Sequence, residues 1–369
     1  MTRGELCLGE QLPTEQELCG LYNVSRITAR KALVLLHEAG IIERSRGRGS
    51  FVAKLPDAVP QPGHSAGSTP SVRPTRPKAT EIGIIRSTST APGSERDDWW
   101  ASILRALESR LQEEDFHPTG LPPPVAGASP APLLARLDEL GERLAGLVFL
   151  ANAEMIPFLP TLEKRGLPWV SINQIHRRQT SNFVAVDNHG GGYTVGRLFA
   201  QLGYAPVVVV GPELGRRIST ADKFFGFMQG YLEAGRFSTD VRYLPIPDLG
   251  SSDENARRLR SQLDRADRPR AIFCVGDLLA ATVLRLCQEL RLSVPEDLAV
   301  VGGTGLLFAE HTTPPMTLLA QPMQEVGHEA AGFLIEMIRT GDRHLPGRFI
   351  PSPLMVRASC PGAAPGAAS

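Results

Sequence analysis

From residue 81 onward the chain alternates short, wholly apolar runs with longer stretches in which apolar side chains recur every three or four positions. Ile82-Gly83-Ile84-Ile85, Leu147-Val148-Phe149-Leu150, Trp169-Val170-Ser171-Ile172, Val184-Ala185-Val186, Val207-Val208-Val209-Val210, residues 241–244, Ala271-Ile272-Phe273-Cys274-Val275 and Ala299-Val300-Val301 read as strands. Between them, residues 99–114 predict a helix with Ile103, Leu104, Leu107 and Leu111 on one side. Further helices are expected ending near Gly166 and over about 191–202, 220–234, 255–263 and 278–289. Wholly apolar strands are buried on both faces, so the series predicts an α/β fold of parallel sheets covered by helices. The strands are too many for one ordinary sheet. Two doubly wound lobes are expected, one over about 81–173 and 302–320 and the other over about 177–298 and 322–357.

The first 54 residues carry a different pattern. Thr14-Glu15-Gln16-Glu17 has capping-box spacing and predicts a short helix over about 14–21. Tyr22-Asn23-Val24 is a tight connection, and Ser25 caps a second helix over 25–39. Ala29, Leu33, Leu36 and Ala39 give that helix an apolar side, while Arg26, Thr28 and Arg30 project from its first turns. Gly40 ends it, and residues 41–44 and 50–53 form two strands around Arg46-Gly47-Arg48-Gly49. The result is a helix-turn-helix followed by a wing.

Charge makes this segment informative. Residues 25–54 hold seven Lys or Arg (Arg26, Arg30, Lys31, Arg44, Arg46, Arg48, Lys54) against two acids, in a chain of zero formal net charge. Arginine at a helix N-terminus can pair with guanine edges and a threonine can meet a base or a methyl group. Glycines beside Arg46 and Arg48 let the wing backbone approach phosphates or a minor groove. The alternative is a helical hairpin with solvated charges, or a winged helix that binds protein.

Length allows two or three domains. Residues 55–80, rich in Pro, Gly, Ser and Thr, predict a flexible linker, and 358–369 a disordered tail. No segment reads as an export signal or a membrane span, which suggests the cytoplasm. The five cysteines, Cys7, Cys19, Cys274, Cys287 and Cys360, lack metal-ligand spacing and are expected to be reduced packing residues. No metal or redox cofactor is indicated. Gly190-Gly191-Gly192 meets neither dinucleotide nor nucleotide-loop spacing, and no nucleophile has an associated His and acid, so an enzyme is not expected.

Paired α/β lobes bind ligands beyond the carboxyl ends of their strands. The polar residues after the strands are therefore candidates: Arg86, Asn173-Gln174, Asp187, Lys223 and Gly276-Asp277, with Trp99 or Trp100 as a stacking face. A carboxylate, a cation and amides suit a polyhydroxylated ligand. Equally, Asp187 and Asp277 can cap helices, and a Trp at a helix start can be core.

Two resemblances sharpen the reading. Leu12-Pro13-Thr14-Glu15, the run Val24 through Leu33, Glu38 through Ile42, and Arg46-Gly47-Arg48-Gly49-Ser50-Phe51-Val52 resemble the GntR-type winged helix-turn-helix of bacterial transcription regulators. That implies operator contacts at Arg26, Thr28, Arg30, Arg46, Arg48 and Gly49, with Thr14 and Glu15 at the start of the supporting helix. Ser25, Arg44 and Gly47 complete the candidate DNA-binding set. Gln16 stands where that family usually has Arg, and the family places a further helix before Gly4-Glu5-Leu6. Either the true start lies upstream of Met1, which is the expectation, or the domain lacks that helix.

Val186-Asp187-Asn188-His189-Gly190-Gly191, Ala271 through Ala280, Val294 through Gly302, and Thr313-Pro314-Pro315-Met316-Thr317 look like the effector domain of LacI-type repressors, related to periplasmic sugar-binding proteins. The similarity implies that Trp99, Lys223 and Asp277 line a sugar site, joined by Trp100, Asp187 and Gln174. This chain departs at Gly303-Thr304-Gly305, where the family has an aromatic residue and acids, at Gly276, and at Lys223, which replaces Arg. Joined in one chain, the two resemble the arrangement of bacterial arabinose repressors. It implies a homodimeric regulator, most readily a repressor, that binds double-stranded operator DNA under the control of a small effector, a sugar or sugar derivative. The alternative is a solute-binding or sensor protein.

Overall fold

The computed structural model describes residues 12, 14, 33, 42–45, 49–52, 79–86, 95–123, 131–150, 153–174, 176, 178–247, 249–250 and 252–362. The chain divides into two compact units, Met1–Pro74 and Thr75–Ser369.

In the first unit, β1 (Ile42–Ser45) and β2 (Gly49–Val52) form an antiparallel hairpin with Arg44 opposite Ser50 and Ser45 opposite Gly49. Leu12 and Leu33 are buried, and the Leu12 N–H donates to the Ser50 carbonyl at 2.8 Å. Leu33 is helical; the rest of the helices expected over 14–21 and 25–39 lies outside the described residues, Thr14 apart.

The second unit holds two six-stranded sheets. The first has the order β13-β7-β6-β5-β3-β4, all parallel: β3 (Glu81–Arg86), β4 (His117–Leu121), β5 (Leu144–Leu150), β6 (Trp169–Ile172), β7 (Phe183–Val186) and β13 (Arg348–Ile350). One face packs α1 (Glu95–Gln112) and α8 (Met323–Thr340) through Ile103, Leu107, Leu111, Ala330, Phe333 and Leu334. The other packs α2 (Ala131–Leu140) and α3 (Leu159–Lys164) through Leu133, Leu137 and Leu162.

The second sheet has the order β14-β12-β11-β10-β8-β9: β8 (Val207–Gly211), β9 (Val241–Pro245), β10 (Ala271–Cys274), β11 (Ala299–Gly302), β12 (Thr317–Leu319) and β14 (Leu354–Met355). Only the β12–β14 pair is antiparallel. On one face lie α4 (Asn188–Gln201) and α5 (Ile218–Glu233), through Val195, Phe199, Phe227 and Tyr231. On the other lie α6 (Asp253–Leu263) and α7 (Asp277–Glu289), through Leu259, Leu279 and Val283.

The two doubly wound lobes are as expected, but their boundaries are not. Residues 183–186 pair with β6 and so belong to the first lobe, β12 belongs to the second, and α8 returns to the first. The chain crosses between lobes after β7, after β12 and after β13. Residues 183–186 and 317–319 are as buried as the central strands of either sheet, so hydrophobicity alone does not say which sheet they join. Four short strands and helices α2 and α8 add to the expected elements. The expected tail is also corrected at its start: Ser359 and Cys360 are fully buried, and Thr317 N–H donates to Ser359 Oγ at 2.8 Å. Residues 363–369 and most of the linker at 55–80 lie outside the described residues. Among the described residues no helix is long and apolar enough to cross a membrane.

Candidate effector site and DNA-reading hairpin

Of the residues expected to read DNA, Thr14 is exposed, Arg44 lies on β1 and Gly49 opens β2. Glu15, Ser25, Arg26, Thr28, Arg30, Arg46, Gly47 and Arg48 lie outside the described residues. The hairpin register pairs Ser45 with Gly49, the described residues on either side of 46–48.

Two of the effector candidates, Lys223 and Asp277, meet at the carboxyl edge of the second sheet. β8 and β10 are adjacent and parallel, so the helices that follow them, α5 and α7, begin at the same edge from opposite faces. Asp277 opens α7 and is fully buried. Its Oδ1 accepts from the N–H groups of Gly303 (2.8 Å) and Thr304 (3.0 Å), and its Oδ2 accepts from Leu306 N–H (2.7 Å). In return, the Asp277 N–H donates to Thr304 Oγ1 at 3.1 Å, which satisfies a donor of the first helical turn.

The departure at residues 303–305 thus has a structural use. A Cβ at Gly302 would fall on Asp277 Oδ1, and one at Gly303 would lie 2.9 Å from the Cys274 carbonyl. Gly305 has φ +74°, and a Cβ there would lie 2.8 Å from the Gln321 nitrogen. Glycine lets this loop close on the carboxylate.

Lys223 sits in α5 and is only 4% exposed. It makes no hydrogen bond or ion pair with any of the described residues. Burial pushes its ammonium down to about 8, while the charge of Asp277 acts in the opposite sense. Helical side chains lean toward the N-terminus, which here points at the strand-end edge.

Trp99 belongs to the other lobe. Its indole N–H donates to Gln321 Oε1 at 3.0 Å, and Gln321 Nε2 donates to the Gly303 carbonyl at 3.2 Å. A continuous path therefore runs Trp99, Gln321, Gly303, Asp277. Trp100 meets Trp99 edge-on, with ring centroids 4.4 Å apart, and both pack on the first core. The structure thus connects Trp99, Trp100 and Asp277, and Lys223 lies near enough to Asp277 to feel its charge.

Asp187 and Gln174 are engaged locally. Asp187 caps α4, its Oδ1 accepting from Gly190 N–H at 2.7 Å, and Gln174 Nε2 donates to the Gln179 carbonyl at 3.0 Å. Arg86 is exposed at the end of β3. Asn173 holds a left-handed backbone, φ +68°, at the end of β6. Sequence reasoning missed Gln321 and Thr304. Gln321 follows β12, and recognising that strand would have found it by the same rule. A hollow between α4 and β14, lined by Tyr193, Arg197, Leu354 and Val356 among others, holds none of the candidates. The Cys274, Cys287 and Cys360 thiols are buried, and burial raises all three above the ordinary thiol range.

Residues 1–52 match the family described as bacterial regulatory proteins, gntR family, and residues 197–360 match the periplasmic binding protein-like domain. The protein is a transcriptional regulator built from these two domains. The regulator is 28% identical to the arabinose metabolism transcriptional repressor of Halalkalibacterium halodurans, over 89% of this chain and 83% of that one. It is 30% identical to the transcriptional regulator CelR of Thermobifida fusca, over 59% of this chain and 64% of that one. A solved LacI family regulator from Enterococcus faecium with bound ribose superposes with a TM-score of 0.61 at 22% identity, covering 77% of the regulator and 99% of that chain. A CelR–cellobiose complex does so at 0.59 and 22%, covering 94% and 100%. These structures establish the two-lobed fold.

Proposed function

We propose that the regulator is a cytoplasmic, homodimeric repressor whose affinity for operator DNA is set by a small effector held between the lobes of its larger unit. The observation that carries this reading is the path from Trp99 in one lobe through Gln321 and Gly303 to Asp277 in the other, beside buried Lys223. A ligand that touches Trp99 and Lys223 draws on both lobes and favours one relative placement of them. The three chain crossings at strand ends act as the hinge. In a dimer, a change in lobe placement alters the spacing of two DNA-reading heads, and operators with paired half-sites feel it directly.

The gntR-family segment favours this over a solute-binding protein, which needs no winged helix. The chemistry of the site favours binding over catalysis, and the names of the relatives, repressors and regulators, agree. An operator recovered by selection from random duplexes provides the test. By linkage, an effector that weakens operator binding must be weakened by operator to the same extent, typically about 1–3 kcal/mol. Titration of effector with and without bound operator should show that shift. Equal affinities would overturn the mechanism.

A further inference from the structure

Resting on the reading of this cleft as the effector site, we infer that the effector carries a compact anionic group, a carboxylate or a phosphate ester, received by the Lys223 ammonium. Two observations meet here. The first is that both oxygens of Asp277 are already engaged by the protein. Both of its oxygens accept backbone N–H groups at 2.7–3.0 Å, and the residue is fully buried under the 303–306 loop. A carboxylate holds a neutral sugar by accepting from its hydroxyls, and this one is already engaged.

The second is that Lys223, only 4% exposed, has no hydrogen-bond acceptor and no close ion pair among the described residues, the charge of Asp277 acting on it from beyond contact. Buried charges in folded proteins are paired, because the loss of hydration is otherwise uncompensated. The corner of the cleft that these residues form therefore presents a donor and a positive charge, with its acceptor withdrawn. The glycines at 302, 303 and 305 are what withdraw it. Beyond the longer-range attraction of Asp277, a neutral polyol gives Lys223 only a hydrogen bond, whereas an anion gives it a charge-assisted contact. The N-terminal ends of α5 and α7 at the same edge add to the positive potential.

The experiment uses the full-length protein and matched probes: glucuronate against glucose, ribose 5-phosphate against ribose, and inorganic phosphate and sulfate as bare anions. Binding is read by melting temperature and by calorimetry, for wild type, Lys223→Met and Lys223→Arg. The expected result is that an acid or phosphate ester raises the melting temperature where its neutral partner does not, that Lys223→Met weakens it at least 100-fold, and that Lys223→Arg keeps it within about 10-fold. Uronate against phosphate ester tells the two sources of charge apart. Anion binding to the basic wing is recognised by its survival in Lys223→Met, and if all anion binding survives, the inference is overturned. A neutral sugar that binds wild type and Lys223→Met alike, and releases operator, also overturns the anionic assignment while the effector-controlled reading stands. A ligand that saturates the cleft through Lys223 and leaves operator affinity unchanged overturns the proposed function instead.

Discussion

The indole N–H of Trp99 donates to Gln321 Oε1 at 3.0 Å, joining residues 222 positions apart. Trp99 lies on a helix of the first lobe, and Gln321 lies where the chain leaves the second sheet for α8. The same amide holds the Gly303 carbonyl. Gln321→Leu would leave a part-buried indole N–H and a carbonyl without their partner. It should lower stability by about 1–3 kcal/mol and change tryptophan emission. Urea unfolding followed by fluorescence checks both, and an unchanged midpoint would show that water replaces the amide.

Lys223→Met keeps the alkyl stem and removes the charge. The ammonium falls from 10.5 in the free side chain to about 8 in the folded protein. Below about pH 8 folded and unfolded states both hold the proton, and the folded state bears the full cost of burying it, on the order of 3 kcal/mol. Between about 8 and 10.5 the folded state releases the proton first, the unfolded state binds more protons, and stability rises with pH. Without ligand, the variant should therefore be more stable than wild type at pH 7, with the difference shrinking toward pH 10. Denaturation midpoints at the two pH values measure it. A variant less stable at pH 7 would contradict the assignment.

Gly302→Ala places a methyl group on Asp277 Oδ1 and 2.8 Å from Met316 Sδ. Asp277 must shift, and its bonds to Gly303 and Thr304 loosen. A loss of about 1–3 kcal/mol is expected, together with faster amide exchange at residues 303, 304 and 306. Hydrogen exchange that leaves those amides protected would refute the clamp.

Helices α4 and α5 approach through Gly192, Gly196, Gly226 and Gly230, each set against a carbonyl of the other helix. Because the obstacles are backbone, Gly196→Ala cannot be relieved by a rotamer change at Phe227. It should cost about 3 kcal/mol, measured by thermal or chemical unfolding. A near-neutral effect would mean that the helices separate freely.

On DNA, Arg26→Ala should cost roughly 1–3 kcal/mol at one base position if it reads guanine. Arg48→Ala should weaken binding evenly across sequences and flatten the salt dependence. Anisotropy titrations against operator variants at several salt concentrations separate the two. Identical behaviour would remove both assigned roles.

Much of this was legible along the chain. Wholly apolar runs can be accommodated only between two layers of helices, so β3, β5, β6, β8, β10 and β11 were visible, and with them the α/β class. His117–Leu121 was not, because an edge strand with exposed and half-buried residues lacks that signal. Lys223 and Asp277 stood out because strand ends face ligands in this architecture.

What the sequence alone determined was local: periodicity, caps, the charge of the wing, and which side chains end strands. Tertiary structure decided the rest, because it depends on which segments meet. It assigned residues 183–186 to the first sheet and residues 317–319 to the second, choices that equal hydrophobicity leaves open. It also turned Gly303-Thr304-Gly305 from an unexplained departure into a loop that encloses Asp277. Backbone N–H groups carry no side-chain signature, so their convergence on one carboxylate appears only when strand, loop and helix are brought to the same edge.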